Sequence, residues 1–327
     1  FIRQNRFTFD SFDLADDTQV GTSLKHIEAH LGWAIVESEI DFSIDRPLTG
    51  EEIASTIRYC KWDVKATTKL LTLRKNYLDC KIDLGRRCGT PIPANKALYF
   101  TNARLAAKYL DATYVERHDG REYEYPANLR LKYIPDRVKA FFEQITDLRI
   151  PDEVLLKKKL ETTICGCPCT YAWGGVHGSL TKFYVKSDDE TVIQNRDVSS
   201  LYPSLLDLYN YISRNCADPN KYRNTKNERL AAKASGDKKT ANTLKNPLNV
   251  TSGAMDQKTN PLYDRKNAYG MRISGQLFLS ELVMELMEKC STFRLINFNT
   301  DRITDGGSNL FRMGEAHDVR VGNRSYL

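Results

Sequence analysis

Two aspartates stand where a carboxylate could bind a metal ion, each at the end of a strand-like run. Asp197 follows the β-branched run 191–193, and Pro203 suits the first turn of a helix that comes next. Asp301 closes a second strand-like run, 293–298, as a turn residue would. Phosphoryl transfer commonly uses two magnesium ions roughly 4 Å apart, which one carboxylate cannot hold alone. Asp197 and Asp301 are candidates to hold such ions together, although an aspartate at the end of a strand is by itself more often structural than catalytic.

The residues around both aspartates also match known motifs. The run 197–204 resembles motif A of the family B DNA polymerases, D-x-x-S-L-Y-P-S, at six of eight positions. Asn299-Thr300-Asp301 is similar to the motif C hairpin as bacteriophage members of the family carry it. This resemblance implies that Asp197 and Asp301 are catalytic and bind two Mg²⁺ ions, and that Tyr202 lies under the incoming sugar and excludes a 2′-hydroxyl. The substrate-binding residues that it implies in motif A are Ser200, Leu201 and Tyr202.

The most basic part of the chain lies between these motifs. Residues 213–245 hold nine Lys or Arg against three acidic residues, while the whole chain has a net charge of +6. Arg229 and Lys233 are spaced to project from one helical face, and Lys245 with Asn249 resembles the K-x-x-x-N core of motif B. The resemblance implies two antiparallel fingers helices that present these four residues to a dNTP, since Arg and Lys suit phosphate oxygens. A solvated helical hairpin is the alternative.

The upstream half carries a weaker signal. Thr49-Gly50-Glu51-Glu52 predicts a capping box that opens a helix with Ile53 and Ile57 facing inward. Tyr59 and Asp63 follow one helical turn apart and match the Y-x-x-x-D motif of 3′–5′ exonucleases, whose Asp binds metal. The run 5–10 fits the second exonuclease motif by residue type but lies too close to Asp63. We therefore interpret it as a chance match and expect a truncated exonuclease.

Other segments are predicted to play supporting roles. Residues 171–178 resemble the glycine-rich junction between exonuclease and polymerase domains. Residues 85–161 carry no identifiable chemistry and read as a connector packed on the palm. Cys165, Cys167 and Cys169 could bind metal by their spacing, but no second cluster completes a zinc site, so reduced thiols are the favoured interpretation.

Composition limits the class of protein. A pI near 8.7 with clustered basic residues favours a polyanionic partner such as a DNA primer-template. No apolar run is long enough to span a bilayer and no signal peptide is recognisable, so we expect no membrane association and a cytoplasmic location in a bacterial host. The chain opens on Phe1, which suggests a fragment. Oligomeric state, source and the mode of priming stay open.

Together these signals predict an α+β protein in which a partial RNase H-like exonuclease domain precedes a palm sheet with inserted helical fingers. We place the exonuclease part at residues 1–85, the connector at 86–165 and a partial palm at 166–327. The fingers fall at about 210–255, and no thumb segment is recognisable.

Two departures from the motifs keep a second function open. Ser252 stands where motif B has a tyrosine, and Arg302 follows Asp301 where a small residue is usual. A guanidinium there could pair with the carboxylate in competition with magnesium. The leading hypothesis is an impaired, template-directed DNA polymerase, and the alternative is a catalytically inactive nucleic-acid-binding remnant of a prophage polymerase. A protein that is only a nuclease is disfavoured, because a single exonuclease motif survives.

Overall fold

The structure is a computed structural model of the 327-residue chain. It describes residues 12–15, 22–114, 116–188, 191–198, 200–299, 302–308, 320–321 and 324–325. No helix in these ranges combines the length and apolar character needed to cross a bilayer. The chain folds as a mixed α/β protein, with eleven helices and one large sheet in the described ranges.

Helices precede and flank the sheet. The helices are α1 (Leu24–His30), α2 (Gly50–Leu73), α3 (Lys75–Arg86), α4 (Ala94–Tyr99), α5 (Asn102–Tyr109), α6 (Asp136–Thr146), α7 (Asp152–Leu155), α8 (Leu201–Leu208), α9 (Pro219–Ala234), α10 (Lys238–Ala254) and α11 (Arg265–Lys289). The strands are β1 (Lys159–Ile164), β2 (Cys167–Ala172), β3 (Gly175–Ser179), β4 (Thr191–Asp197), β5 (Arg294–Asn299), β6 (Arg302–Ser308), β7 (Arg320–Val321) and β8 (Arg324–Ser325).

The large sheet has the order β1-β2-β3-β5-β6-β4, and every neighbouring pair is antiparallel. Its first three strands form a meander, in which Gly178 lies so close to β2 that an added Cβ would stand 2.6 Å from the Pro168 carbonyl oxygen. The strands predicted before Asp197 and Asp301 are confirmed as β4 and β5. They lie on either side of β6, so the two motifs share one sheet.

One face of this sheet is buried and the other is polar. Tyr171, Val176, Phe298 and Ile303 are buried on the inner face. Residues opposite each other in antiparallel strands point to the same face. The register therefore sets one polar row across the sheet on the outer face. That row includes Glu161, Thr170, His177, Asn299 and Asp197.

The inner face is covered by α11. Tyr171 Oη and Ser280 Oγ are 2.7 Å apart, and the Gln276 side-chain amide donates to the Ala172 carbonyl. α11 is buried on nearly all sides along most of its length. This helix therefore joins the sheet to the elements packed on its far side.

The predicted pair of basic helices is present as α9 and α10. Tyr222 Oη donates to the Leu248 carbonyl, and Arg229 Nε donates to the Ala241 carbonyl. The earlier residue of α9 contacts the later residue of α10, and the later residue of α9 contacts the earlier one. The two helices therefore run antiparallel. Asp218 and Asp237 cap their N-termini, and only Ser235, Gly236 and Asp237 separate them.

The segment predicted to be a connector, residues 86–165, packs on α10 as well as on α11, whereas the sequence predicted that it packs on the palm alone. Backbone N–H groups of Lys132 and Tyr133 donate to the Glu281 carboxylate of α11. On the other side, the Asn246 amide of α10 donates to Asn102 of α5 over 2.7 Å. The cause is a buried stripe along α5, which packs against α10.

The helix predicted at Thr49 is confirmed as α2, and both hydrogen bonds of its capping box form. The inward orientation predicted for Ile53 and Ile57 is wrong, because their side chains are nearly half exposed. Ala66 and Leu70 are the buried residues of this helix, both near its C-terminal end. The run 5–10 lies outside the described residues.

Candidate active site

Asp197 stands at the last position of β4, with an exposed side chain. The chain then turns sharply, and Ser200 takes the left-handed conformation with φ of 54° and ψ of 47°. The Leu201 N–H donates to the Val198 carbonyl over 3.2 Å, and α8 begins at once with Pro203 in its first turn. A left-handed non-glycine residue is strained, so the surrounding structure must hold this turn in place.

The last residue of β5 and the first residue of β6 meet Asp197 at the same end of the sheet. Arg302 pairs in register with both Asn299 and Asp197. Thr300 and Asp301 lie outside the described residues, as does the Arg302 side chain. The backbone on either side of Asp301 is thus level with Asp197, while the distance between the two carboxylates stays a prediction. An exposed carboxylate at this sheet end has the oxygen chemistry that magnesium requires.

Tyr202 lies on the first turn of α8 and faces a glycine of α11. A Cβ added to Gly275 would stand 3.0 Å from Leu205 Cδ1 and 3.8 Å from Tyr202 Cε1. The missing side chain therefore leaves room for the half-buried Tyr202 ring. Leu201, predicted to bind substrate, instead places its side chain in the hydrophobic core.

The predicted fingers cations do not share one environment. Arg229 is buried, and its guanidinium donates to Ser200 Oγ over 3.3 Å, so two predicted substrate-binding residues meet here. Lys233, Lys245 and Asn249 are all exposed. Arg229 and Lys233 lie one turn apart on α9, but only Lys233 is exposed, because Arg229 packs against α10 and the turn at Ser200.

Arg229 is a buried cation for which no described carboxylate forms an ion pair. Burial lowers the pKa of its guanidinium from the ordinary value. Buried charges are normally paired, because an isolated ion loses much of its hydration free energy. The Arg229 guanidinium, beside the turn at Ser200, is thus suited to bind an anion.

A second buried cluster, which sequence reasoning missed, joins α8 to α9. The Asp207 carboxylate binds Lys226 Nζ and Arg223 Nε, each at 2.5 Å, and both Asp207 and Lys226 are buried. Burial acts to raise the pKa of Asp207, but the two cations outweigh it and hold that pKa below its usual value. The sequence did contain a signal for this cluster. Asp207 is the one carboxylate in the otherwise apolar run of α8, and the basic segment of α9 follows it.

Tyr59 and Asp63 do lie on one face of α2, where Lys25 of α1 joins them. Lys25 Nζ is 2.7 Å from Asp63 Oδ1 and 5.1 Å from the Tyr59 ring centroid. Burial, followed by the hydrogen bond to Asp63, raises the pKa of the Tyr59 hydroxyl. The Asp63 carboxylate therefore forms an ion pair with the Lys25 ammonium group.

The three clustered cysteines are free thiols, with Cys167 and Cys169 buried in β2. Burial raises the pKa of Cys165 and of Cys169 to about 11. Such thiols are poor metal ligands, because metals bind the thiolate. Among the described residues, no three His, Cys, Asp or Glu side chains form a metal-binding group.

A groove of about 540 Å³ lies on the polar face of the sheet beside this site. Among its lining residues are His177 and Ser179 of β3 and Asn297 and Asn299 of β5.

Ser252, which stands where motif B has a tyrosine, donates its hydroxyl to the Asn249 carbonyl over 3.2 Å. The α10 surface therefore has no aromatic ring at that position.

No family model matches the sequence, and no curated protein matches it. Among solved structures, the chain is similar to the family B DNA polymerase from the hyperthermophilic archaeon Pyrobaculum calidifontis, with a TM-score of 0.44 and 15% sequence identity. That similarity covers 87% of this chain and 36% of the polymerase chain. The chain thus spans little more than a third of that polymerase.

Proposed function

We propose that this chain is part of a template-directed DNA polymerase of family B, of the bacteriophage type. The observation that carries the proposal is the register at the sheet end, where Asp197 lies level with Asn299 and Arg302, the described residues on either side of Asp301 in the sequence. Strand ends that meet in this way can bring two carboxylates to one reaction centre. The substrates would be a DNA primer-template and a dNTP.

Each part of the reaction has a candidate side chain. Asp197 and Asp301 would hold two magnesium ions, which polarise the α-phosphate and activate the primer hydroxyl when bound. Arg229 and Lys245 would neutralise the triphosphate, with Lys233 and Asn249 on the same helix pair. Tyr202, seated over Gly275, would present its ring to the sugar and exclude a 2′-hydroxyl.

Primer extension with Asp197→Asn and Asp301→Asn tests the proposal. Each change should abolish extension, while affinity for primer-template stays level or rises slightly because negative charge is removed. Asp188→Asn, a change of the same kind at an exposed position on the connection before β4, is the control. Full extension by either site variant would refute the carboxylate pair.

The triphosphate contacts are tested by Lys245→Ala. This change should cost about 1–3 kcal/mol in apparent kcat/KM for the nucleotide, the loss expected for a charge-assisted contact. Lys238→Ala removes an exposed lysine from the first turn of the same helix and should have little effect. Equal behaviour of both variants at limiting dNTP would favour the solvated hairpin.

Sugar choice tests the role of Tyr202. Tyr202→Ala should raise ribonucleotide incorporation, whereas Tyr202→Phe should leave it low, because the ring and not the hydroxyl would block the 2′ position. Equal ribonucleotide use by both variants would remove Tyr202 from the site.

An inactive nucleic-acid-binding remnant is the second candidate, favoured by the Ser252 hydroxyl that bonds to Asn249 in place of an aromatic ring. The double variant Ser252→Tyr with Arg302→Gly restores both motif positions and should increase extension if the site is otherwise intact. A double variant that binds primer-template in a salt-dependent way but extends nothing would establish the remnant instead.

A further inference from the structure

The connector contains a stretch of unusual charge, to which the sequence analysis assigned no chemistry. Residues 85–110 include Arg86, Arg87, Lys96, Arg104 and Lys108 but no aspartate or glutamate. Such one-sided charge in a segment that packs against the fingers calls for a partner, because like charges repel each other.

The first two of these cations are already paired. Arg86 binds Asp83, and Arg87 binds Glu228 of α9. In contrast, Lys96, Arg104 and Lys108 form no ion pair with any residue in the described part of the chain.

Neighbouring carboxylates are also taken by other cations. Asp83 binds Lys239 as well as Arg86, and Asp111 binds Lys221 at 2.6 Å. The three exposed cations therefore form no ion pair in the described part of the chain, because the neighbouring carboxylates bind other cations.

Aromatic rings lie among these cations. Tyr99 is 67% exposed at the end of α4, one helical turn from Lys96. Phe100 follows, and the Arg104 guanidinium carbon lies 4.2 Å from its ring centroid. Lys108 is one turn beyond Arg104 on α5, so both project from the same side of that helix.

This surface continues onto the fingers. The Asn246 side chain donates to Asn102 in the first turn of α5 over 2.7 Å. Asn246 directly follows Lys245, whose exposed side chain is proposed above to face the nucleotide. The surface and the candidate active site are therefore connected through α10.

We propose that Lys96, Tyr99, Phe100, Arg104 and Lys108, the connector patch, bind single-stranded nucleic acid. Exposed cations would contact successive phosphates, and the open face of Tyr99 would stack on a base. Stacking requires an unpaired base, because bases in a duplex already stack on each other. Naming this strand as the unpaired template ahead of the primer end rests on the proposed function, whereas the binding itself does not.

Fluorescence anisotropy with labelled oligothymidylate, and with a duplex of equal length, tests the connector patch. The triple variant Lys96→Ala, Arg104→Ala, Lys108→Ala should bind oligothymidylate at least about tenfold more weakly, with a log–log salt slope smaller by about two. Tyr99→Ala should weaken single-strand binding about fivefold or more and leave duplex binding unchanged.

A charge-matched control separates the patch from general attraction. Lys75, Arg117 and Arg149 are exposed cations that each pair with a carboxylate, and replacing all three by Ala removes the same charge. The proposal holds if this control binds like the parent while the patch variants do not, with equal thermal unfolding midpoints. Equal losses in both triple variants, or no loss in the patch variant, would overturn it.

The two proposals fail separately. If the parent protein shows no primer extension but the patch variants lose oligothymidylate binding, the polymerase proposal is refuted and the patch is supported. If Asp197→Asn abolishes extension while the patch variants bind oligothymidylate like the parent, the polymerase proposal is supported and the patch is refuted.

Discussion

Two helices of nearly equal length, α2 and α11, are held in the structure in different ways. Ala66 and Leu70 are the buried residues of the 24-residue α2, whereas the 25-residue α11 is buried along most of its length. On α2, Val64 is 66% exposed. Helices in water owe most of their stability to the packing of an apolar face, and α2 obtains little of it.

This contrast separates the two candidate sites. Tyr59 and Asp63 lie on a helix stabilised by its capping box and by a few ion pairs. Tyr202 lies on α8, which packs against α11, and buried Asp207 of α8 binds Lys226 of α9. The candidate active site is therefore part of the buried core, whereas Tyr59 and Asp63 lie on a helix that can open locally.

The largest expected effect comes from breaking the core side of this comparison at Asp207. Asp207→Asn leaves buried Lys226 without its carboxylate and should lower the free energy of unfolding by about 3 kcal/mol, as removal of one partner from a buried ion pair does. Asp79→Asn, in an exposed pair with Lys75, is the control and should change it by less than about 1 kcal/mol. Urea unfolding measures the free energy of unfolding of both variants. Equally small changes in the two would contradict a buried ion pair between Asp207 and Lys226.

A smaller effect is expected where α8 meets α11. A side chain at Gly275 would press on Leu205 at 3.0 Å and crowd the Tyr202 ring, so Gly275→Val should cost about 2 kcal/mol by overpacking. Gly253→Ala, in a helix but with nothing within 4 Å of an added Cβ, should instead be neutral or stabilise by roughly 0.5–1 kcal/mol. Thermal unfolding measures the stability of both variants. A destabilised Gly253→Ala together with an unaffected Gly275→Val would contradict the close packing inferred at Gly275.

On the other side of the comparison, Thr49→Ala removes the cap of α2. The change should weaken this helix by about 1 kcal/mol, the usual value of an N-cap hydrogen bond. Because α2 is weakly anchored, amide exchange should become about fivefold faster within α2 and stay unchanged in α11. Thr72→Ala at the other end of α2 is the control, and uniform acceleration over both helices would show that they unfold together.

The smallest effect is the acid response of the same capping box. Hydrogen bonds from Arg46, then from the Thr49 N–H, hold the pKa of Glu52 at about 2, below the usual 4.5. A lowered pKa means that the contribution of this group is full above pH 4.5 and is lost as pH falls toward 2. The protection of the α2 amides against hydrogen exchange, measured relative to the intrinsic rate at each pH, should therefore fall over that window in the parent. Glu52→Gln should remove this loss of protection, and an identical acid response of the variant would assign the loss to another group.

Local patterns in the sequence determined the elements that carry the site. Strand β4 with Asp197 at its end, the turn into α8, strand β5 and the capped start of α2 follow from side-chain types within a few residues of each other. These signals are local because β-branched runs, capping side chains and prolines act on their own backbone. For the same reason, the resemblance to polymerase motifs is visible in the sequence without the fold.

Only the tertiary structure decided which faces met. Helical spacing put Arg229 and Lys233 near each other, but the packing of α9 on α10 buried the first and exposed the second. The bond between Asp207 and Lys226, and the packing of α5 on α10, likewise join elements that the chain separates. Periodicity specifies which residues share a face, whereas the neighbour of that face depends on how all the apolar surfaces are buried together.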